Sequence, residues 1–351
     1  MENFLFAKSR INIYRISFVF YALCLAMMMV GTFFDMQISI FIFDPQSKFV
    51  IGFEAFGLFV YWGMWGPIFT VLFLTRHSLK ESTEIVSRIF PFIKPIENIQ
   101  TKLYKASNLV YNAVTAIGFF VLTVIGWKKL IQNILKHICS FNEITYFVIS
   151  TVAAIISIIL FSRLSKQTLK KLEYLALAGI LMGIFIKIGE HCKAITHRVR
   201  FREMVAYSNN ILDEAGMSLG RVSKLKSRLN NNMVSATDFQ AYTMWFKKGN
   251  DMGVYSNANS FPSGHMMCSC SILLSALFAS AFKKTEKLIM PMLTISIVYI
   301  TVMAYTRMVC GAHYLTDVAF GAAIGYTAFL IVIAVYRIFK RKSFLGSLEE
   351  N

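Results

Sequence analysis

The chain has 351 residues, of which 56% are apolar and 32 are phenylalanine, with a mean hydropathy of +0.55. So much apolar surface excludes an ordinary water-soluble domain, and its grouping into runs of about twenty residues matches the thickness of a bilayer's hydrocarbon. A net charge of +17 would fit a nucleic-acid partner, but many of the basic residues sit beside the ends of apolar runs, which argues against one. Six cysteines (24, 139, 192, 268, 270 and 310) include no Cys-x-x-Cys pair and argue against a disulfide scaffold.

The apolar pattern predicts eight spans, at 16–35, 53–75, 109–127, 145–162, 173–190, 265–282, 288–306 and 317–337. Lys8, Arg10 and Arg15 precede the first, as in a secretory signal. That run is long for a signal and has no small-x-small cleavage site before Asp35, so a retained helix is predicted. The third span contains Asn112 and the fourth is short, which makes these two the weakest. As a re-entrant hairpin they would leave six spans and the same sidedness. In the last span, Gly321 and Gly325 continue a four-residue rhythm from Asp317 that lets a neighbouring helix approach closely.

Basic residues set the orientation. They cluster before span one, at Arg76, Lys80, Arg88, Lys94, Lys102 and Lys105, at Arg163, Lys166, Lys170 and Lys171, at Lys283, Lys284 and Lys287, and at Arg337, Lys340, Arg341 and Lys342. With eight crossings these regions share one side, which predicts cytoplasmic termini. Lys128, Lys129 and Lys136 run against the pattern. The 191–264 segment and the 307–316 connection then lie on the non-cytoplasmic side. Within the former, 203–230 predicts one or two short surface helices and 246–260 a loop. Tyr242, Trp245 and Phe246 belong either to an interfacial anchor or to an extramembrane cap.

Three clusters meet the membrane at that face. They are His191-Cys192-Lys193 with His197-Arg198-Val199-Arg200-Phe201-Arg202; Asn259-Ser260-Phe261-Pro262-Ser263-Gly264-His265; and Thr306-Arg307 with Gly311-Ala312-His313 and Asp317. Phosphate transfer needs cations for the transition-state charge and a nucleophile opposite the leaving group. Lys193, Arg200 and Arg307 supply the cations. Ser263 and the amides near Gly264 open span six, where unbonded N–H groups suit an anion. Asp317, four residues from His313, shares its face on a helix already begun and fixes the imidazole for attack. His265 is placed to protonate the departing oxygen. Taken singly, each arginine also reads as a topology anchor and the Ser-Gly-His as a simple cap.

This arrangement resembles the type 2 phosphatidic acid phosphatase (PAP2) superfamily, whose membrane lipid phosphatases share a core with soluble acid phosphatases and vanadium haloperoxidases. The family signature is Lys-x6-Arg-Pro, Pro-Ser-Gly-His and Ser-Arg-x5-His-x3-Asp. Here the second part is complete at Pro262 to His265, and the third reads Arg307-x5-His313-x3-Asp317 with Thr306 in the serine position. The first keeps its spacing at Lys193-x6-Arg200, with Phe201 in the proline position and His197 where glycine is frequent. The resemblance covers about 190–320.

The resemblance implies His313 as nucleophile, Asp317 as its orienting partner and His265 as general acid. It implies that Lys193, Arg200, Arg307, Ser263 and Gly264 hold phosphate, with a phosphohistidine intermediate and neither metal nor cofactor. The expected fold is all-α, a polytopic transmembrane helical bundle with a PAP2-like core. Its expected divisions are N-terminal spans over 1–172, a catalytic membrane core over 173–342 that includes the non-cytoplasmic 191–264 loop, and a cytoplasmic tail at 343–351. The expected partners are membrane lipids and a phosphorylated lipid substrate. The expected setting is a bacterial inner membrane with the site periplasmic. Two other readings stand beside it: halide oxidation with bound vanadate, and a non-catalytic transporter or lipid-binding protein, which Asn112 and Lys187 within apolar runs would suit.

Overall fold

The structure is a computed structural model that describes residues 13–44, 47–89, 91, 94–136, 139, 141–196, 198–202, 244–247 and 260–349. The expected surface helices at 203–230, most of the 246–260 loop, Tyr242, His197, Asn259, Lys8 and Arg10 lie outside the described residues.

Every regular element among the described residues is helical. The first is α1 (Ile13–Ile42), followed by α2 (Lys48–Phe56), α3 (Phe59–Thr75), α4 (Leu79–Ile89), α5 (Lys94–Ala106), α6 (Asn108–Leu135), α7 (Glu143–Ser162), α8 (Lys166–His191) and α9 (Lys193–Thr196). After the described residues resume come α10 (Gly264–Ser269), a 3-10 turn (Cys270–Leu273), α11 (Leu274–Ala281), α12 (Ile289–Val309) and α13 (Leu315–Glu349). Among the described residues seven helical stretches are long and apolar enough to cross a membrane, with α10, the turn and α11 together forming one of them. The chain is thus a polytopic helical bundle, and α1, α6 and α7 turn side chains such as Phe18, Phe41, Leu109 and Ile144 outward as an apolar belt.

The two spans that looked weakest are full helices of 28 and 20 residues. Asn112 costs little because its amide bonds Asn108 Oδ1 one turn earlier, at 2.8 Å. Ser107 caps α6 through the Val110 amide, Asn142 caps α7 through Thr145, and Ser165 caps α8 through Thr168. The break falls instead in the second span, which divides into α2 and the 17-residue α3 around Gly57 and Leu58. Glycine is a poor helix former, and the Gly57 carbonyl accepts a hydrogen bond from the Tyr299 hydroxyl of α12. The basic stretch after α3 holds two amphipathic helices, α4 and α5. Ser78 and Ser82, flanking the start of α4, both donate to the buried Glu173 carboxylate of α8.

Two groups of helices make up the interior. On one side α3, α6 and α7 pack together, joined by Thr70, Ser157 and the Trp127 indole in a buried chain of hydrogen bonds. On the other, α8, α10 to α13 and α1 enclose the largest apolar cluster, with Met182, Ile186, Met267, Leu277 and Phe329 fully buried. Helix α1 lies along α13, where Phe20 stacks on Tyr326 at 4.3 Å and Ser17 bonds the Tyr326 hydroxyl at 3.0 Å. Gly321 and Gly325 face the α10 segment. A Cβ there would come within 2.5 Å of the Ser263 carbonyl oxygen and 2.8 Å of the Cys270 side chain.

That contact makes a packing prediction. Gly325→Val should destabilise the detergent-purified protein by about 1–3 kcal/mol, since overfilling a packed interior displaces backbone or neighbours. Gly118, whose Cβ would meet nothing within 4 Å, is the control, and Gly118→Val should shift the thermal midpoint far less. Equal shifts would contradict the close packing of α13 on α10.

Candidate functional site

The site is assembled where the ends of five elements converge: the end of α1, the α8–α9 corner, the 198–202 strap, the start of α10, and the turn between α12 and α13. Backbone hydrogen bonds stitch these pieces together. Ser260 N–H donates to Arg198 O at 2.9 Å, Arg202 N–H to Gly311 O at 2.9 Å, and Ser263 N–H to Asp317 O at 3.0 Å. The Thr196 hydroxyl adds a bond to the Phe261 carbonyl at 2.9 Å. All three sequence clusters are therefore joined.

His313 lies in the turn before α13 rather than on the helix. After α12 ends at Val309, Gly311 takes φ +64 and reverses the chain, a conformation that other residues rarely adopt. The amides of Ala312 and His313 both return to the Arg307 carbonyl, at 3.1 and 3.2 Å. This locks the imidazole to the arginine that ends the preceding span. The His313 Nδ1 is 2.7 Å from the Ser260 carbonyl oxygen. A carbonyl only accepts, so Nδ1 carries the proton and Nε2 keeps its lone pair. Asp317 Oδ2 is 3.7 Å from the same Nδ1, beyond hydrogen-bond length. It accepts instead from the Ser260 hydroxyl at 2.5 Å and the Tyr314 amide at 2.9 Å. The expected direct bond from the aspartate to the ring thus runs largely through Ser260.

Burial holds the His313 pKa down at about 3, assisted by the Arg307 and Arg200 guanidiniums and opposed by Asp317. The ring is consequently neutral at physiological pH. Burial likewise depresses the Lys193 pKa, with Arg200 and Arg307 repelling its charge and Glu190 partly offsetting them. Lys193 thus feels both guanidiniums, and His313 feels the same two, an electrostatic setting that suits an anion. The position of a Gly264 Cβ would lie 2.7 Å from Lys193 Nζ, which puts the start of α10 against this cation group. Ser263 caps α10, its oxygen accepting from Met266 N–H at 3.4 Å. Its own N–H is occupied by Asp317 O, so the anion-facing amides expected there do not include that of Ser263. The His265 ring is half-buried, its centroid 6.5 Å from that of His313.

Phe201, in place of the family's proline, is buried and packs edge-on against Phe43 just beyond α1, at 5.2 Å between centroids. Trp245 donates to Thr32 of α1 at 3.0 Å and stacks on Phe261, whereas Phe246 is exposed. Four polar residues at this end carry no role in the sequence reading: Arg198, Asp35, Thr316 and Ser260. All four are fully or almost fully buried. The available signal was an acidic residue inside an apolar run, at Asp35, together with a surplus arginine beside Arg200. Among the described residues no group of three or more His, Cys, Asp or Glu side chains is arranged to hold a metal ion.

Residues 231–342 match the family model described as PAP2 superfamily. The chain therefore carries a PAP2 superfamily domain over those residues, which include His265, Arg307, His313 and Asp317 but not Lys193 or Arg200. No curated protein and no solved structure matches the chain.

The neutral imidazole has a measurable consequence. The unfolded chain takes up a proton on this histidine below about pH 6.5, whereas the folded one does not until about pH 3. The stability contributed by the neutral ring is thus complete above pH 6.5 and is lost as pH falls towards 3. Thermal unfolding of the parent and His313→Gln from pH 7.5 to 4 should show the parent losing ground to the variant as pH falls. A constant gap would contradict a buried neutral ring.

Proposed function

We propose that the chain is a metal-independent phosphatase that removes phosphate from a lipid-linked monoester or diphosphate at the non-cytoplasmic face of a membrane, through a phosphohistidine. The observation that carries this reading is the neutral His313 ring, its Nδ1–H tied to the Ser260 carbonyl, beside Arg307, Arg200 and Lys193 at one end of an apolar helical bundle. The PAP2 domain match over 231–342 supports the same reaction class.

In this scheme Lys193, Arg200 and Arg307 bind the phosphate oxygens, together with the Ser263 hydroxyl and the backbone at Gly264. The His313 Nε2 lone pair attacks phosphorus, the bond from phosphorus to the lipid oxygen breaks, and protonated His265 gives that oxygen a proton. The positive charge left on the imidazole is stabilised through Nδ1–H by the Ser260 carbonyl and by Asp317 beyond it. Water then gives its proton to His265 and attacks the phosphohistidine. The nitrogen–phosphorus bond breaks, inorganic phosphate leaves and the starting state returns.

The lipid class is supported by an apolar cavity of about 270 Å³ between α1, α12 and α13, walled by Phe20, Met27, Ile297 and Ile300. Met266 and Val318 also line it. They are the chain neighbours of His265 and Asp317. With the 17-residue α3 counted as an eighth crossing, the charge distribution supports cytoplasmic termini and a non-cytoplasmic site; the proposed setting is a bacterial inner membrane.

The test is phosphate release by detergent-purified protein from phosphatidic acid, phosphatidylglycerol phosphate, a polyprenyl diphosphate and lipid A. The parent should act on at least one, with EDTA leaving its rate unchanged. His313→Ala should fall to background and His265→Ala should lose about 10²–10⁴-fold in kcat. Release by His313→Ala at the parent rate would overturn the nucleophile, and a rate lost in EDTA and restored by Mg²⁺ would overturn the metal-free scheme.

Sidedness has its own measurement. Lys247→Cys, in a chain whose Cys139 and Cys192 are serine, should react in intact spheroplasts with a membrane-impermeant maleimide. Labelling only after lysis would invert the orientation.

A further inference from the structure

The buried arginine beside the phosphate-binding motif is over-determined on every side. Arg198 Nη1 donates to Asp317 Oδ1 at 2.6 Å and to Thr316 Oγ1 at 2.8 Å, while Nη2 donates to Asp35 Oδ2 at 2.9 Å. Its guanidinium carbon lies 3.9 Å from the centroid of the Tyr314 ring, over the ring face. The Thr316 amide donates to Asp35 Oδ1 at 3.1 Å, and its hydroxyl donates to Asp35 Oδ2. The main chain of the same arginine accepts the Ser260 amide at 2.9 Å.

These contacts converge on one atom. The Ser260 carbonyl holds His313 Nδ1, and the Ser260 hydroxyl is held by Asp317 Oδ2. Arg198 thus fixes Ser260 through its backbone and orients the Asp317 carboxylate through its side chain, two routes to the same ring. With Oδ1 taken by the guanidinium, Oδ2 is left to face Ser260 and the imidazole. Asp35, from α1, anchors the far side of the guanidinium.

We propose that Arg198 is a positioning residue that sets the ring of His313, and that Asp35 acts through it, making α1 part of the catalytic unit. The proposal rests on His313 being the nucleophile. Neither Arg198 nor Asp35 touches the phosphate in this scheme. Their loss therefore misplaces the attacking nitrogen while leaving the cations that bind substrate in place. A misplacement of this kind costs rate rather than affinity.

The experiment compares the parent with Arg198→Gln, Asp35→Asn, the double variant, Arg198→Lys and Thr316→Val, as full-length protein in detergent. Folded enzyme is quantified by thermal unfolding, and kcat and KM are measured on the best lipid phosphate. Arg198→Gln should lose about 100-fold in kcat, the cost of an ångström-scale misplacement, with KM and vanadate inhibition within about threefold. Asp35→Asn should lose about tenfold, and the double variant no more than Arg198→Gln alone, because the two act in series. Arg198→Lys keeps the charge but loses the planar fork whose two nitrogens face Asp317 and Asp35 separately, so its kcat should stay well below the parent's.

Parent kcat per folded molecule in Arg198→Gln and Asp35→Asn would overturn the proposal, as would a double-variant loss equal to the product of the single losses. If the glutamine variant does not fold, Arg198→Lys and Thr316→Val decide. A several-fold loss in kcat at unchanged KM in both upholds the proposal, and parent kcat in both overturns it. Failure of the parent to release phosphate, or full activity in His313→Ala, would instead sink the phosphatase reading on which this one rests.

Discussion

A guanidinium enclosed in an apolar bundle must be matched by carboxylates, because an isolated ion there carries a penalty of several kcal/mol. Arg198 meets that requirement with two, one from the first described helix and one from the last, and stacks on an aromatic ring as well. The need to neutralise this one charge draws α1, the 198–202 strap and the start of α13 to a common point. The rest of the site follows from it: Ser260 hangs on the Arg198 backbone, His313 on Ser260, and the α12–α13 turn on the Arg307 carbonyl. The apolar packing of α8, α10 to α13 and α1 forms the largest buried cluster. The polar knot decides how the ends of those helices are registered.

The same point distinguishes two kinds of charge at one end of the bundle. Arg198 is satisfied by protein carboxylates. Lys193 is repelled by the Arg200 and Arg307 guanidiniums, with Glu190 partly offsetting them. Neighbouring residues such as 198 and 200 can thus serve opposite purposes, one closing an internal ion network and the other contributing to the field around the imidazole. Phe201 belongs to the first purpose: by packing on Phe43 it presses the strap against the end of α1, where a proline would have offered a rigid bend but less apolar contact.

Much of this architecture was legible in the sequence, for identifiable reasons. Long apolar runs located the helices because backbone groups in hydrocarbon must bond internally. The spacing of Lys193, Arg200, His265, Arg307, His313 and Asp317 marked the residues that the fold then gathers at one end. The division at Gly57 was not legible, since α2 and α3 are both apolar and the break is seated by Tyr299 of a distant helix. Nor was the place of His313. A four-residue interval suggests a shared helical face, yet the positive φ of Gly311 delays the helix to Leu315. Arg198 and Asp35 were hidden by separation, being 163 positions apart. In the sequence, one disappears into a basic cluster and the other into an apolar run.

The placement of Asp35 also bears on how the protein is made. This carboxylate enters the membrane with α1, but the Thr316 amide that it accepts is 281 residues further along the chain. At translation rates of about 5–20 residues per second, its completing partners emerge roughly 15–60 s later. During biogenesis the first helix is therefore an amphiphile with an unmet polar group within two turns of its end, close enough to the lipid head groups to stay hydrated. Final docking of α1 waits for the last helix, so the site comes into being only when the whole membrane domain has been synthesised.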